Sequence, residues 1–153
     1  EIAENCMTCH GLAHPGLKAD DLAKMLGAGH PINPGFELVK YSQGSVRHRH
    51  YPPDIKTNAE MTPQELAQIY LVGQAAALVS ATEVISKSSE AKYKEAQSKR
   101  VEIAKSALGG VSEAAGLLAA PTRENAIKFV QSIAGKDLTS AVGSKLPAKS
   151  DYK

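Results

Sequence analysis

The sequence predicts an all-α protein, and three observations carry that prediction. No segment alternates apolar and polar residues as a half-buried strand does. Between Pro63 and Pro121 there is no proline, and Ala, Ser, Glu and Lys dominate, a composition that continuous helices tolerate. Helix start and stop signals recur along the chain, a polar cap before proline or a glycine after an apolar run. The 153 residues suit one domain, or a small domain with an extension. Composition changes near residue 60. Residues 1–60 are dense in Gly, Pro and His; residues 61–135 read as long helices; residues 136–153 form a polar tail expected to be loosely ordered.

Taken in order, Asp20 to Leu26 reads as a short helix stopped by Gly27. Asn33-Pro34 reads as an N-cap followed by proline at the first helical position. That helix is expected to run through Phe36, Leu38 and Val39 to Gly44. Arg47-His48-Arg49-His50-Tyr51-Pro52-Pro53 must be extended or loop, because the prolines forbid a helix. Thr62-Pro63-Gln64-Glu65 fits a capping box, with Met61 and Leu66 placed for a hydrophobic staple. Leu66, Ile69, Tyr70, Gly73 and Ala77 then share one face, and the helix can continue through Val84 and Ile85. Ser89 to Leu108 is helical again, with Glu90–Lys94 and Glu95–Lys99 in the favourable i,i+4 order. Gly109-Gly110 breaks the chain, and Val111 to Ala119 forms a further helical stretch. Pro121-Thr122 opens a last helix through Ile127, Phe129, Val130 and Ile133, stopped by Gly135.

The net charge of +2 is too small to argue for nucleic acid, and no dense Lys/Arg run with interleaved aromatics appears. The most apolar run, Ile69 to Ala81, is interrupted by Gly73 and Gln74. It falls short of the roughly 20 residues a bilayer needs, so no transmembrane segment is expected. The chain begins Glu1-Ile2-Ala3-Glu4, with no basic-then-apolar leader.

The only two cysteines stand in Cys6-Met7-Thr8-Cys9-His10. A C-x-x-C-H run is the attachment signature of haem c. Each thiol adds across one porphyrin vinyl group, so the two must sit about one helical turn apart. The residue after the second cysteine then lies under the iron, where His10 can supply an imidazole nitrogen. Two other readings compete. A thioredoxin-like dithiol expects a strand before the motif, and only five residues precede Cys6. A zinc site needs two more close ligands, and no second C-x-x-C or H-x-x-x-H pair occurs. Aromatics are only 5% of the chain, with no Trp and two Phe, so a haem ring would supply bulky apolar surface that the composition lacks.

On this motif the chain resembles c-type cytochromes. The order of an early C-x-x-C-H, a loop before proline and a closing helix is similar to class I members. That resemblance implies one covalent haem c and a distal ligand from the loop that precedes Pro52-Pro53. Class I proteins often have Met there; this chain has His50, which implies bis-histidine iron held by His10 and His50. His48 shares the loop, and His30 and Met61 remain open as alternatives. Arg47 and Arg49 are candidates to pair the haem propionates. The resemblance also implies a periplasmic or extracellular protein whose signal peptide has been removed.

The helical extension holds no histidine, and its carboxylates are spaced as surface charges, so an enzyme is not expected. It reads equally as a hairpin covering the haem domain or as a docking surface for itself or other cytochrome subunits. The leading expectation is an electron-transfer protein serving redox partner proteins. A haem-based gas or redox sensor, or a subunit of a larger cytochrome complex or filament, are the alternatives.

Overall fold

The computed structural model describes residues 1–44 and 60–153, and its regular elements there are all helical. In chain order they are α1 (Ile2–His10), α2 (Ala19–Gly27), α3 (Leu38–Ser42), α4 (Pro63–Lys87), α5 (Ala91–Leu108), α6 (Ala115–Ala119), α7 (Arg123–Ile133) and α8 (Thr139–Val142). Single 3-10 turns stand at Ser112–Ala114, Gly143–Lys145 and Lys149–Asp151. The all-α expectation holds.

The fold is organised around α4, against which α1, α2, α3, α5, α7 and α8 all pack. Its start is the capping box read from sequence. The Glu65 backbone N–H donates to Thr62 Oγ1 at 3.3 Å, and the Thr62 N–H donates to Glu65 Oε2 at 2.7 Å. Thr62→Ala is expected to lower stability by about 1 kcal/mol, read as a shifted urea midpoint with unchanged slope. Ala67, Leu71, Ala75, Leu78 and Ala81 are buried along the helix. The alanines keep its surface low, so neighbouring helices can approach closely. At Gly73 a Cβ would lie 2.9 Å from Leu38 Cγ, so the glycine admits α3 against α4.

At 25 residues, α4 is longer than the Ile69–Ala81 run suggests. Its most apolar 18-residue window has a mean hydropathy of 1.4, which meets the length and composition of a membrane span. Of that window 56% is buried inside the protein, as in the core helix of a globular bundle. The capping box at Thr62 and the continuation through Val84 and Ile85 are legible in the sequence; it is the apolar run alone, Ile69 to Ala81, that understates the apolar length of this helix.

The α4–α5 pair forms a hairpin, as a helical extension allows. Asp20 at the start of α2 ties its turn down. The Asp20 carboxylate accepts from Ser88 Oγ at 2.9 Å, Ser89 N at 2.9 Å and Ser89 Oγ at 3.0 Å. On α5, Lys99 pairs with Glu95 at 3.0 Å. Gly109 closes α5, and Thr122 caps α7 by accepting from the Asn125 N–H.

Two expectations are corrected. Asn33 does not start a helix. Its Oδ1 accepts from Gly35 N at 3.0 Å and its carbonyl from Phe36 N at 3.1 Å, which closes a tight turn. The N-cap of α3 is Glu37, whose carboxylate accepts from Val39 N at 2.7 Å and Lys40 N at 2.9 Å. A two-oxygen acceptor satisfies two orphan donors where asparagine offers one oxygen. The tail is not loose either. Leu138, the N-cap of α8, and Val142, its last residue, are both buried. Lys145 Nζ donates to the Ser106 and Ala107 carbonyls at the end of α5, where a cation is favoured. The Lys153 N–H donates to the Lys40 carbonyl at 2.9 Å.

Where the tail begins, Glu113 pairs with Lys136 at 2.7 Å and accepts from Ser112 Oγ at 2.9 Å. The Lys136 bond, foremost, holds the Glu113 carboxyl down at about 2 against an ordinary value of 4.5. A lowered folded-state acid stabilises above its unfolded pKa and loses that contribution as pH falls through the folded one. Stability is therefore expected to decline between pH 4.5 and about 2 by a part that Glu113→Gln abolishes, measured as thermal midpoint against pH.

Candidate functional site

Helix α1 is nine residues long and buries Ala3 and Met7, one turn apart, against the core. Cys6, Cys9 and His10 then fall together on an adjacent flank, because residues three and four apart share a helix face. Cys6 is half-buried, whereas Cys9 and His10 are exposed. Neither thiol is in a disulfide. Burial pushes the Cys6 thiol up, with the neighbouring Cys9 adding to it.

Beside this flank lies an aromatic shelf that sequence reasoning missed. The His10 imidazole stacks on Phe36 with centroids 4.0 Å apart and planes 6° apart. Tyr41 leans on both rings, 6.3 Å from His10 and 4.8 Å from Phe36. The Asn33 turn presents Phe36, and Asn33 Nδ2 also donates to Tyr41 Oη at 3.2 Å. Stacking engages the face of an imidazole, whereas a metal is bound in the plane of the ring. The packing therefore fixes the tilt of His10 in a manner compatible with ligation.

The chain after α1 is held by α5. Tyr93, Gln97 and Arg100 project from successive turns of that helix and are almost wholly buried. Tyr93 Oη donates to the Leu12 carbonyl. Gln97 Nε2 donates to the Gly11 carbonyl at 2.9 Å and to that of Leu12 at 3.3 Å. Arg100 Nη1 donates to the Gly11 carbonyl at 3.0 Å and to Gln97 Oε1 at 2.6 Å. Arg100 Nη2 meets Ser80 Oγ at 3.1 Å and Met7 Sδ at 3.4 Å. Burial draws the guanidinium down to about 10, so it stays charged at neutral pH. The sequence did carry a signal for these residues. Positions 93, 97, 100, 104, 107 and 108 make the core-facing stripe of α5, and its first three members are polar.

Of the expected site residues, the structure brings together Cys6, Cys9 and His10. His50, His48, Arg47 and Arg49 lie outside the described residues. His30 is exposed after α2, with Nδ1 2.9 Å from the Pro31 carbonyl. Met61 is half-buried, and its N–H donates to Gln43 Oε1 at 3.4 Å. Among the described residues no group of three or more His, Cys, Asp or Glu is gathered as a metal cage.

A cavity of about 570 Å³ lies between α1, α4 and α7. It takes Glu4, Asn5 and Thr8 from α1, on the side of that helix away from Cys6 and Cys9. Cys6, Cys9 and His10 do not line this cavity, so the candidate site and the cavity are separate features.

The residues present fit a covalently bound haem c. Two thiols one turn apart and the following imidazole share a helix flank, and aromatic rings stand beside it. No protein-family description, curated protein or solved structure matches this chain.

Proposed function

We propose that the protein is an electron-transfer protein carrying one haem c bound through Cys6 and Cys9. The observation that carries the reading is the common placement of Cys6, Cys9 and His10 on one flank of α1, with both thiols free. Cys6 and Cys9 each add sulfur to one carbon of a vinyl group and the thiol hydrogen to the other. His10 offers an imidazole nitrogen to the iron, with its ring tilt held by Phe36. When bound, the haem supplies a reversible one-electron couple, and the protein supplies orientation, access and docking.

The competing dithiol reading needs an activated thiolate, which depressed thiol pKa values and helix N-termini provide. Here burial pushes Cys6 the other way. Cys9 stands in the last turn of α1, where the helix dipole disfavours an anion. These two facts support thioether formation over disulfide exchange.

We propose that His50 would hold the iron together with His10, and that Arg47 and Arg49 would pair the propionates; His48, His30 and Met61 are the alternatives to His50. Two imidazoles leave no open coordination site, which suits a carrier rather than a gas sensor. The setting proposed is periplasmic or extracellular, with redox partner proteins, and the α4–α5 hairpin available to other cytochrome subunits or a second copy.

Mass spectrometry of the denatured protein tests the first claim. The expected mass is the polypeptide plus one haem, and a bare-chain mass overturns it. His50→Ala is expected to make the reduced protein bind carbon monoxide, while the unaltered protein shows no spectral change on the same addition. Immediate carbon monoxide binding by the unaltered protein supports the sensor instead.

A further inference from the structure

A buried cation stands behind the proposed haem-attachment helix, with no anion paired to it among the described residues. The groups that Arg100 meets are the Gly11 carbonyl, Gln97 Oε1, Ser80 Oγ and Met7 Sδ, all of them neutral. Removing a guanidinium from water is expensive unless the surroundings compensate. Four donor contacts engage both terminal nitrogens but leave its charge in place. Met7 and Gly11 are the two residues it touches on α1 and its C-cap, and they bracket Cys9 and His10 in sequence.

The space for this contact is made by Gly11. A Cβ there would lie 2.3 Å from Arg100 Nη2 and 2.5 Å from both Arg100 Cζ and the Met7 carbonyl. Only glycine lets the guanidinium seat against the backbone immediately after His10. Leu12 follows with φ 47°, the one non-glycine residue with positive φ among the described residues. Such a conformation is disfavoured for a branched side chain and persists only where neighbours over-determine it. Tyr93 and Gln97 do so, since both donate to the Leu12 carbonyl. Three side chains from α5 thus fix the backbone on which His10 is mounted.

We propose that Tyr93, Gln97 and Arg100 are positioning residues for His10, and that the buried Arg100 charge raises the reduction potential of the haem. The inference rests on the haem reading above. Reduction of ferric iron adds one electron to the haem, and a nearby fixed cation favours the state with more negative charge. With a haem bound at Cys6 and Cys9, the charge would act on it across α1, because Arg100 is buried against Met7 and Gly11 and buried charges are screened far less than exposed ones. The groups facing Arg100 from α1 and α4 are Met7, the Gly11 carbonyl and Ser80, none of which titrates. On α5 it is faced by Gln97 and by Tyr93, whose hydroxyl burial keeps protonated. The Arg100 charge is therefore constant across the neutral range.

The test is potentiometric titration of the full-length holoprotein and two variants, with haem content checked by mass. Arg100→Gln keeps a donor for the Gly11 carbonyl and deletes the charge. Its ferrous-to-ferric ratio at fixed applied potential is expected to fall about tenfold, a drop of about 59 mV for a one-electron couple. Arg100→Lys keeps a charge that burial can discharge, because a buried ammonium has a depressed pKa. Its potential is expected to match the unaltered protein at about pH 6 and to fall toward that of Arg100→Gln by about pH 9. A haem-bearing Arg100→Gln whose ratio stays within twofold of the unaltered protein overturns the proposal. So does an Arg100→Lys protein whose potential follows the unaltered one at every pH, and this second arm stands if Arg100→Gln does not fold. An unaltered protein of bare-chain mass instead overturns the haem reading, and this inference with it.

Discussion

The double substitution Cys6→Ala/Cys9→Ala is expected to abolish covalent haem while leaving the helices in place. Neither thiol forms a cross-link, so no disulfide is lost. Cys9 is exposed and Cys6 half-buried, so little packed volume disappears. Alanine is the better helix former at both positions. Comparing the variant with unmodified polypeptide, the cost is about 1 kcal/mol or less. The two readouts are intact mass under denaturing conditions and the far-ultraviolet helical signal. The mass should fall to that of the bare chain, and the helical signal should persist. Single variants sharpen the result, since each retains one thioether and should still carry haem. Covalent haem on the double variant would place the attachment elsewhere and remove the basis of the functional reading.

Gly11→Ala is expected to be the most damaging single methyl group that can be added near the site. The new Cβ meets the buried guanidinium and a backbone carbonyl at 2.5 Å or less. Overpacking of this kind costs about 1–3 kcal/mol. Displacing Arg100 also breaks its bond to the Gly11 carbonyl, and a buried polar group left unpaired costs about 1–3 kcal/mol more. The sum is a large share of the roughly 5–15 kcal/mol that holds a domain folded. Gly116→Ala is the matching control, because a Cβ there meets nothing within 4 Å and the residue lies in α6. That change should be neutral or slightly stabilising. Urea midpoints for the two variants should move apart. If Gly11→Ala unfolds at the midpoint of Gly116→Ala, the close seating of Arg100 against α1 is wrong.

Much of this architecture is written locally. Although Gly27 stays inside α2 and Gly29, with φ 94°, follows its C-cap, the Thr62–Glu65 capping box, the Gly109 and Gly135 stops and the Thr122 cap lie within a few residues of the boundaries they set. Short-range hydrogen bonds and backbone preferences decide them, so reading the sequence recovers them. The C-x-x-C-H spacing is local too, and any helix through residues 2–10 puts Cys6, Cys9 and His10 on one flank.

What the sequence could not decide is where polar residues go when a helix packs. Asn33 is the cap that residue type suggests, yet the helix is capped by Glu37, whose carboxylate reaches two backbone donors. The tail looked loose because its charged and hydroxyl residues together outnumber its apolar ones, yet Leu138 and Val142 anchor it. Phe36 reaches His10 only through a turn. Tyr93, Gln97 and Arg100 sit in a helix crowded with lysine and glutamate, and their partners lie 81 to 89 positions earlier. The spacing of those three marks a common face. Only the packing of α5 and α4 around the end of α1 determines that this face is buried, since a polar stripe costs nothing in water and is tolerated inside only when carbonyls elsewhere in the fold converge on it.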